Sequence, residues 1–146
     1  YLAQPVPRPP ANRPVLRVAE LGLAKGVTPR MLAAVLPYLS ALPAGTPVNV
    51  NTAPREVLAA IVGNADAESL EALLVDRVRK PFTTIAEFRA RLPEGATLAS
   101  DVALSVKTSY FYVTIEARQG TTRSHARALL RRSGGGRPAI VWQVVE

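Results

Sequence analysis

Cysteine is absent from the 146 residues, which excludes disulfide bonds and metal sites built on thiolates. Histidine occurs once, at His125, and aromatic residues make up only 5% of the chain. The sequence has no HExxH motif, no dinucleotide fingerprint and no phosphate-binding loop, and "SGGGRP" at 133–138 lacks the Lys-Ser/Thr pair of such a loop. No run of about 18 apolar residues is present to span a bilayer. These absences predict a non-enzymatic protein.

The chain starts without a methionine or a signal peptide, and we interpret it as a fragment from which anything that preceded Tyr1 has been removed. Five prolines fall between Pro5 and Pro14. Proline fixes the backbone and removes a hydrogen-bond donor, so residues 1–14 are predicted to form an extended linker.

Positive charge is in excess, with 18 Lys and Arg against 11 Asp and Glu and a net charge of +7. Residues 118–137 contain six arginines and no acidic residue. Such a stretch beside Tyr110 and Tyr112 fits a groove for single-stranded nucleic acid, in which bases stack on aromatic rings. It equally fits a solvated face that protects a sheet, and we give nucleic-acid binding the smaller weight.

Residues 15–100 are predicted to form a helical domain, in which residues 15–95 contain about five short helices. Thr28 is placed to cap a helix that starts at Pro29, and Pro37 is expected to kink it. Its buried face is predicted to consist of Met31, Leu32, Val35, Leu36, Leu39 and Leu42.

Two further helix starts carry capping signals. Asp66 is predicted to cap a helix, and Thr84 and Glu87 have the spacing of a capping box. The inward residues of the helix after Asp66 are predicted to be Leu70, Leu73, Leu74 and Val78.

The pattern changes near residue 101. The segment "LSVKTSYFYVTIEA" alternates with period two and is rich in aromatic and β-branched residues. Turn sequences at 118–121 and 133–138 divide residues 101–146 into three antiparallel strands. Three strands need another layer over one face. The overall expectation is an α+β protein with a helical domain at 15–100 and a β-meander at 101–146.

The segment "PVNVNTAPREVL" at 47–58 is predicted to be a structural joint. Asn49 and Asn51 can bond to neighbouring backbone groups, Thr52 or Ala53 ends the extended part, and Pro54 starts the next helix. These roles need no ligand, so we expect the joint to maintain the fold.

The joint resembles the DNA-binding helix-hairpin-helix group of competence receptors, which has a similar Asn-x-Asn-Thr-Ala segment. In that group a hairpin with paired glycines follows and brings the backbone to phosphate. Here the corresponding segment reads "AAIVGNADAESLEALL" and keeps only Gly63. A basic DNA- or RNA-binding module is the alternative function.

A fuller resemblance is to minor pseudopilin K of the bacterial type II secretion system. The segments that resemble it are the helical stretch through the joint, "PFTTIAEFRARL", "SVKTSYFYVTIEARQGTTRSHARALLRR" and "PAIVWQVVE" with Trp142. Their order covers most of the chain.

That resemblance implies a SAM-like or helix-hairpin-helix-like insertion in a pilin-like sheet. It also implies a periplasmic position with an anchor in the inner membrane, and a role at the pseudopilus tip with minor pseudopilins I and J. Contact with the outer-membrane channel or the secreted substrate is a further implication. Calcium is the ion that the family can bind, and no ligand position is transferred here. Candidate interface residues are Tyr110, Phe111, Tyr112 and Trp142.

Overall fold

The computed structural model describes residue 7 and residues 12–145. The chain divides into two compact units, residues 1–46 and 47–146. Most of the predicted linker at 1–14 lies outside the described residues. No described helix is long and apolar enough to cross a bilayer.

The first unit contains a 3₁₀ helix at Val18–Leu23 and the α-helix α1 at Pro29–Val35. The Thr28 hydroxyl accepts a hydrogen bond from the Met31 amide at 3.2 Å, which confirms the predicted cap. Instead of a kinked helix to Leu42, α1 ends at Val35 and passes into a 3₁₀ turn at Leu36–Tyr38. Pro37 explains this end, since proline disfavours the α-conformation in the residue before it.

The predicted buried face of that helix is wrong in most of its members. Met31, Val35, Leu36 and Leu39 are exposed, and only Leu32 and Leu42 are half-buried. None of the described residues from 12 to 46 is fully buried. With only two turns of α-helix, the first unit has too little regular surface to enclose an apolar stripe.

Residues 47–107 of the second unit form a helical lobe with three α-helices and two pairs of very short strands. The helices are α2 (Arg55–Ile61), α3 (Ala67–Arg79) and α4 (Ile85–Ala90). The strands are β1 (Val48–Asn49), β2 (Val62–Gly63), β3 (Thr97–Leu98) and β4 (Leu104–Ser105). β1 pairs in parallel with β4, and β2 pairs antiparallel with β3. The first pair joins the start of the lobe to its end, and the second joins the end of α2 to the segment after α4.

The lobe has its own apolar core. Val50, Leu58 and Phe88 are completely buried at its centre. Six other buried residues complete the cluster: Ala53, Ile61, Val62, Leu70, Leu73 and Phe82. The inward face of α3 differs from the prediction at one position, because Val78 is 79% exposed.

Two helix caps in the lobe confirm the capping predictions. The Asp66 carboxylate accepts a hydrogen bond from the Ser69 amide at 2.7 Å at the start of α3. The Thr84 hydroxyl accepts one from the Glu87 amide at 3.1 Å at the start of α4. The Glu87 carboxylate bonds to the amide of Thr83, one residue before the position that a standard capping box uses.

Three long strands follow the lobe: β5 (Tyr110–Gln119), β6 (Thr122–Arg131) and β7 (Ala139–Val145). They form an antiparallel sheet in the order β5-β6-β7, so the predicted α+β class and three-stranded meander are confirmed. The turn between β5 and β6 consists of Gly120 and Thr121, and Gly120 has a positive φ of 59° that glycine adopts without strain. Val141 is an extra residue that bulges from β7.

The two faces of this sheet differ in chemistry. Because side chains alternate across a strand, the register assigns each residue to a face. The apolar face is made mainly of Phe111, Val113, Ile115, Ala117, Ala126, Ala128, Leu130, Ile140 and Val145, and it also carries Gln143 and, near the β5–β6 turn, Gln119, Thr122 and Ser124. The aromatic–basic face carries Tyr110, Tyr112, Arg118, Arg123, His125, Arg127, Leu129, Arg131 and Trp142, together with one acidic residue, Glu116, and with Thr114, Ala139 and Val144.

Candidate functional site

Asn49 connects the joint to the segment that leads into the sheet. Its side-chain oxygen accepts a hydrogen bond from the Asn51 amide at 2.9 Å. Its side-chain nitrogen donates to the Thr108 hydroxyl at 2.7 Å. One side chain therefore shapes the local turn and also fixes a residue 59 positions further along the chain.

Asn51 pairs with the backbone of Phe82. Its side-chain oxygen accepts from the Phe82 amide at 2.8 Å, and its side-chain nitrogen donates to the Phe82 carbonyl at 2.9 Å. This arrangement imitates a β-bridge, because one side-chain amide satisfies both polar groups of one residue. Phe82 is buried, so an apolar side chain at position 51 would remove its backbone partners.

Thr52 and Pro54 contribute less than the two asparagines. Thr52 is exposed, and its side chain forms no hydrogen bond with a described residue. Pro54 is the N-cap of α2 with φ −66°, and its carbonyl accepts from the Leu58 amide at 3.0 Å. Proline thus occupies the residue before the first helical position, one place earlier than its commonest position in helices.

Arg77 of α3 also holds the joint, a role that the sequence pattern did not predict. Its Nη1 donates to the carbonyls of Val50 and Ala53, both at 2.8 Å. Partial burial lowers the pKa of this guanidinium, although arginine remains protonated at neutral pH. The spacing of Leu70, Leu73 and Arg77 on α3 was the available signal, since positions i, i+3 and i+7 share a helix face.

Glu87 anchors a polar cluster beside Phe82. Its carboxylate accepts from the Thr83 amide at 2.9 Å, from the Thr83 hydroxyl at 2.8 Å, and from Arg91 Nη2 at 2.7 Å. The bonds from Thr83, followed by the bond from Arg91, lower the pKa of Glu87 to about 2. The Arg91 guanidinium also lies 4.4 Å from the centre of the Phe82 ring. The cluster thus packs on Phe82, the buried residue whose backbone bonds to Asn51 of the joint.

The four candidate interface residues divide between the two faces of the sheet. Tyr112 and Trp142 flank Leu129 on the aromatic–basic face, with ring centroids 5.5 Å apart and planes at 69°. Tyr110 shares that face. Phe111 lies on the apolar face, where the guanidinium of Arg132 is 5.1 Å from its ring. The structure thus places three of the four on one face of the sheet and brings Tyr112 and Trp142 into contact.

The described side chains form no arrangement that supports catalysis or metal binding. His125 is exposed on β6, opposite Glu116 of β5. Among residue 7 and residues 12–145, no group of three or more His, Cys, Asp or Glu is arranged to hold a metal ion. The Asp66 carboxylate is engaged in capping α3. The described residues therefore do not fit the calcium ion that the resemblance implied.

Comparisons with known proteins agree on one family. Two family models match, both described as type II secretion system (T2SS), protein K, one over residues 48–107 and the other over residues 1–44. The chain belongs to the type II secretion system protein K family. The first match covers the helical lobe from β1 to the residues after β4.

Curated members of the protein K family resemble most of this chain. It is 33% identical to type II secretion system protein K of Pseudomonas aeruginosa over 131 residues, which are 90% of this chain and 39% of that protein. It is 30% identical to the protein K of Pectobacterium carotovorum over 141 residues, 92% of this chain and 43% of that protein. The chain thus spans about two fifths of the length of these relatives.

A solved protein K complex shares the fold. The chain superposes on one chain of the crystal structure of the GspK-GspI-GspJ complex from the type 2 secretion system of enterotoxigenic Escherichia coli. The TM-score is 0.74 at 22% identity, and the match covers 100% of this chain and 53% of that chain.

Proposed function

We propose that this chain is part of a minor pseudopilin that assembles with pseudopilins I and J at the tip of the type II secretion pseudopilus. In this role it starts or caps the fibre during protein export and performs no catalysis. The observation that carries the proposal is membership of the protein K family together with a fold found in a complex of proteins K, I and J. The proposed location is the periplasm, with the whole protein anchored in the inner membrane.

The proposed domain organisation divides the chain into three segments. Residues 1–14 serve as a linker, residues 15–100 as a helical insertion of SAM-like or helix-hairpin-helix-like type, and residues 101–146 as the closing strands of a pilin-like sheet. The apolar face supports this assignment, because Ile115 and Val145 are 55% and 69% exposed on it. In an antiparallel sheet, an apolar face is normally packed against the core of the protein. We infer that a part of the protein outside this chain covers it.

The joint of Asn49, Asn51, Thr52 and Pro54 has a structural role in this proposal. Its hydrogen bonds run to Thr108 and Phe82 of the same chain, so its polar groups are used in holding the lobe together. Contacts with partner pseudopilins, the outer-membrane channel or the secreted substrate are assigned instead to the sheet.

Nucleic-acid binding is the second candidate function, and the six arginines of residues 108–145 favour it. The helical lobe does not, because residues 47–107 contain eight acidic and seven basic residues. A phosphate-binding helical unit concentrates positive charge where it meets the backbone.

One experiment separates the two functions. The chain is mixed with purified periplasmic domains of pseudopilins I and J from the same source, and complex formation is measured by light scattering after gel filtration. Parallel samples contain single- and double-stranded DNA at low salt and at about 0.15 M salt. We expect a complex with the pseudopilins and no DNA binding at the higher salt. Tight, salt-sensitive DNA binding without a pseudopilin complex would establish the alternative.

A further inference from the structure

We propose that the aromatic–basic face binds an acidic polypeptide segment that carries an apolar side chain. Five residues form the centre of the surface. Leu129 lies in the middle, Tyr112 and Trp142 flank it on the neighbouring strands, and Arg127 and Arg131 flank it along β6. The assignment of a polypeptide as the occupant rests on the proposed function, and the surface itself rests on the geometry.

The centre of this surface is an apolar anchor. Leu129 is only 6% exposed, although it is the sole buried hydrophobic residue of the described sheet. Tyr112 and Trp142 cover it in an edge-to-face arrangement and remain accessible themselves, Tyr112 with 59% of its surface. Tyr, Trp and Arg are the residue types enriched at energetically dominant positions of protein interfaces.

Positive charge surrounds the anchor. Arg127 and Arg131 are four residues apart on one strand, which places their backbones about 13 Å apart with Leu129 between them. Arg123 continues the row beyond His125 on the same face. An apolar centre with a charged, accessible rim is the usual anatomy of a protein interface.

The described residues of this face carry more positive than negative charge, with Arg118, Arg123, Arg127 and Arg131 against Glu116, which lies opposite His125. Elsewhere Arg55 pairs with Glu71 and Arg91 pairs with Glu87. Arg123 and Arg131 form no ion pair with a described residue, and Glu116 is the one acidic residue between positions 108 and 145. A complementary partner therefore carries carboxylates around an apolar group.

The ring geometry favours a polypeptide over single-stranded nucleic acid. Successive bases stack on aromatic rings that present parallel, open planes. The rings of Tyr112 and Trp142 are inclined at 69° and contact each other. They form a ridged apolar patch that suits a branched side chain better than a stack of bases.

Trp142 is the only tryptophan of the chain, so its fluorescence reports on the site directly. The probe is a synthetic peptide of alternating glutamate and leucine, titrated at about 0.15 M salt. We expect a saturable change in Trp142 emission. A peptide with lysine in place of glutamate tests the requirement for negative charge, and one with serine in place of leucine tests the requirement for an apolar side chain. Neither is expected to cause a saturable change in emission.

Removing two positive charges from the aromatic–basic face, and comparing the loss of binding with that of a control variant, gives the most direct test. The double variant Arg127→Gln and Arg131→Gln is expected to bind the acidic peptide about tenfold more weakly, because two charge contacts are lost. Arg30→Gln with Arg79→Gln is the matched control, since it removes the same charge from exposed positions outside the sheet. The control is expected to bind within about twofold of the unsubstituted chain. Urea midpoints of both variants confirm that they are folded.

Three results would overturn the inference. They are no saturable change with the acidic peptide, equal weakening in both double variants, and tighter binding of an oligothymidylate than of the peptide. Complex formation with pseudopilins I and J is measured separately. A chain that forms that complex but ignores the acidic peptide would keep the proposed function and lose this binding surface.

Discussion

The helical lobe and the three-stranded sheet belong to the same chain but differ in how complete they are. The lobe encloses nine buried residues in one cluster, whereas the sheet buries only Leu129. The lobe has nearly balanced charge, and the sheet region has six arginines against Glu116. The difference indicates that the lobe is stabilised by its own core, while the sheet has surfaces suited to other partners.

Removing the centre of the lobe core should have the largest effect. Phe88→Ala is expected to lower the free energy of unfolding by about 3–5 kcal/mol, because a fully buried aromatic side chain leaves a cavity. Leu129→Ala in the sheet should cost about 2 kcal/mol, at the low end for leucine, because its cover is a single layer of side chains. Urea denaturation measures both. A larger loss of stability for Leu129→Ala than for Phe88→Ala would contradict the conclusion that the lobe has the stronger core.

The second largest loss of stability is expected for a substitution in the joint. Asn51→Ala removes both hydrogen bonds to Phe82 and leaves buried backbone groups unpaired, which should cost about 1–3 kcal/mol. Thr52→Ala is the neighbouring control, and we expect a change within about 0.5 kcal/mol because its side chain is exposed. Thermal and urea denaturation test both. Unchanged stability in Asn51→Ala would contradict the structural role of the joint.

The free energy of unfolding of the lobe should fall in acid, because Glu87 becomes protonated there. Because the folded-state pKa is lowered to about 2, ionised Glu87 stabilises the fold above the ordinary glutamate pKa, and this contribution is lost as pH falls towards 2. Glu87→Gln should therefore be less stable than the unsubstituted chain at neutral pH, and the difference should shrink in acid. Urea midpoints of both proteins across this range provide the test. A difference that does not depend on pH would show that the carboxylate charge contributes nothing.

Exposed charge pairs should have the smallest effect. Arg55 and Glu71 are 3.5 Å apart, and about half of each side chain is accessible. Arg55→Ala is expected to cost less than about 1 kcal/mol, because solvent screens such pairs. A double-mutant cycle with Glu71→Ala isolates the pair. Coupling well above that value would mean that the lobe depends on surface charge as well as on its core.

Local signals in the sequence predicted the local structure well. Thr28, Asp66 and Thr84 each bond to an amide three residues ahead, so the cap and its partner lie in one short segment. The alternation after residue 109 likewise predicted long strands, because the period of two is a property of each strand alone.

Long-range pairing was beyond the reach of such signals. The bonds of Asn51 to Phe82 join residues 31 positions apart, and no local pattern specifies that partner. Arg77 was missed for a related reason, since a charged residue was not expected on the buried face of α3, where it satisfies two carbonyls. The length of α1 was overestimated because apolar spacing outweighed Pro37.

Native-state hydrogen exchange of this chain tests the central contrast most directly. The account predicts that amides of α2, α3 and α4 are strongly protected, whereas amides of β5 and β7 exchange much faster, because the sheet's apolar face is open. Equal protection of the strands and the helices would contradict the account, since it would show that the sheet is already complete without a further partner.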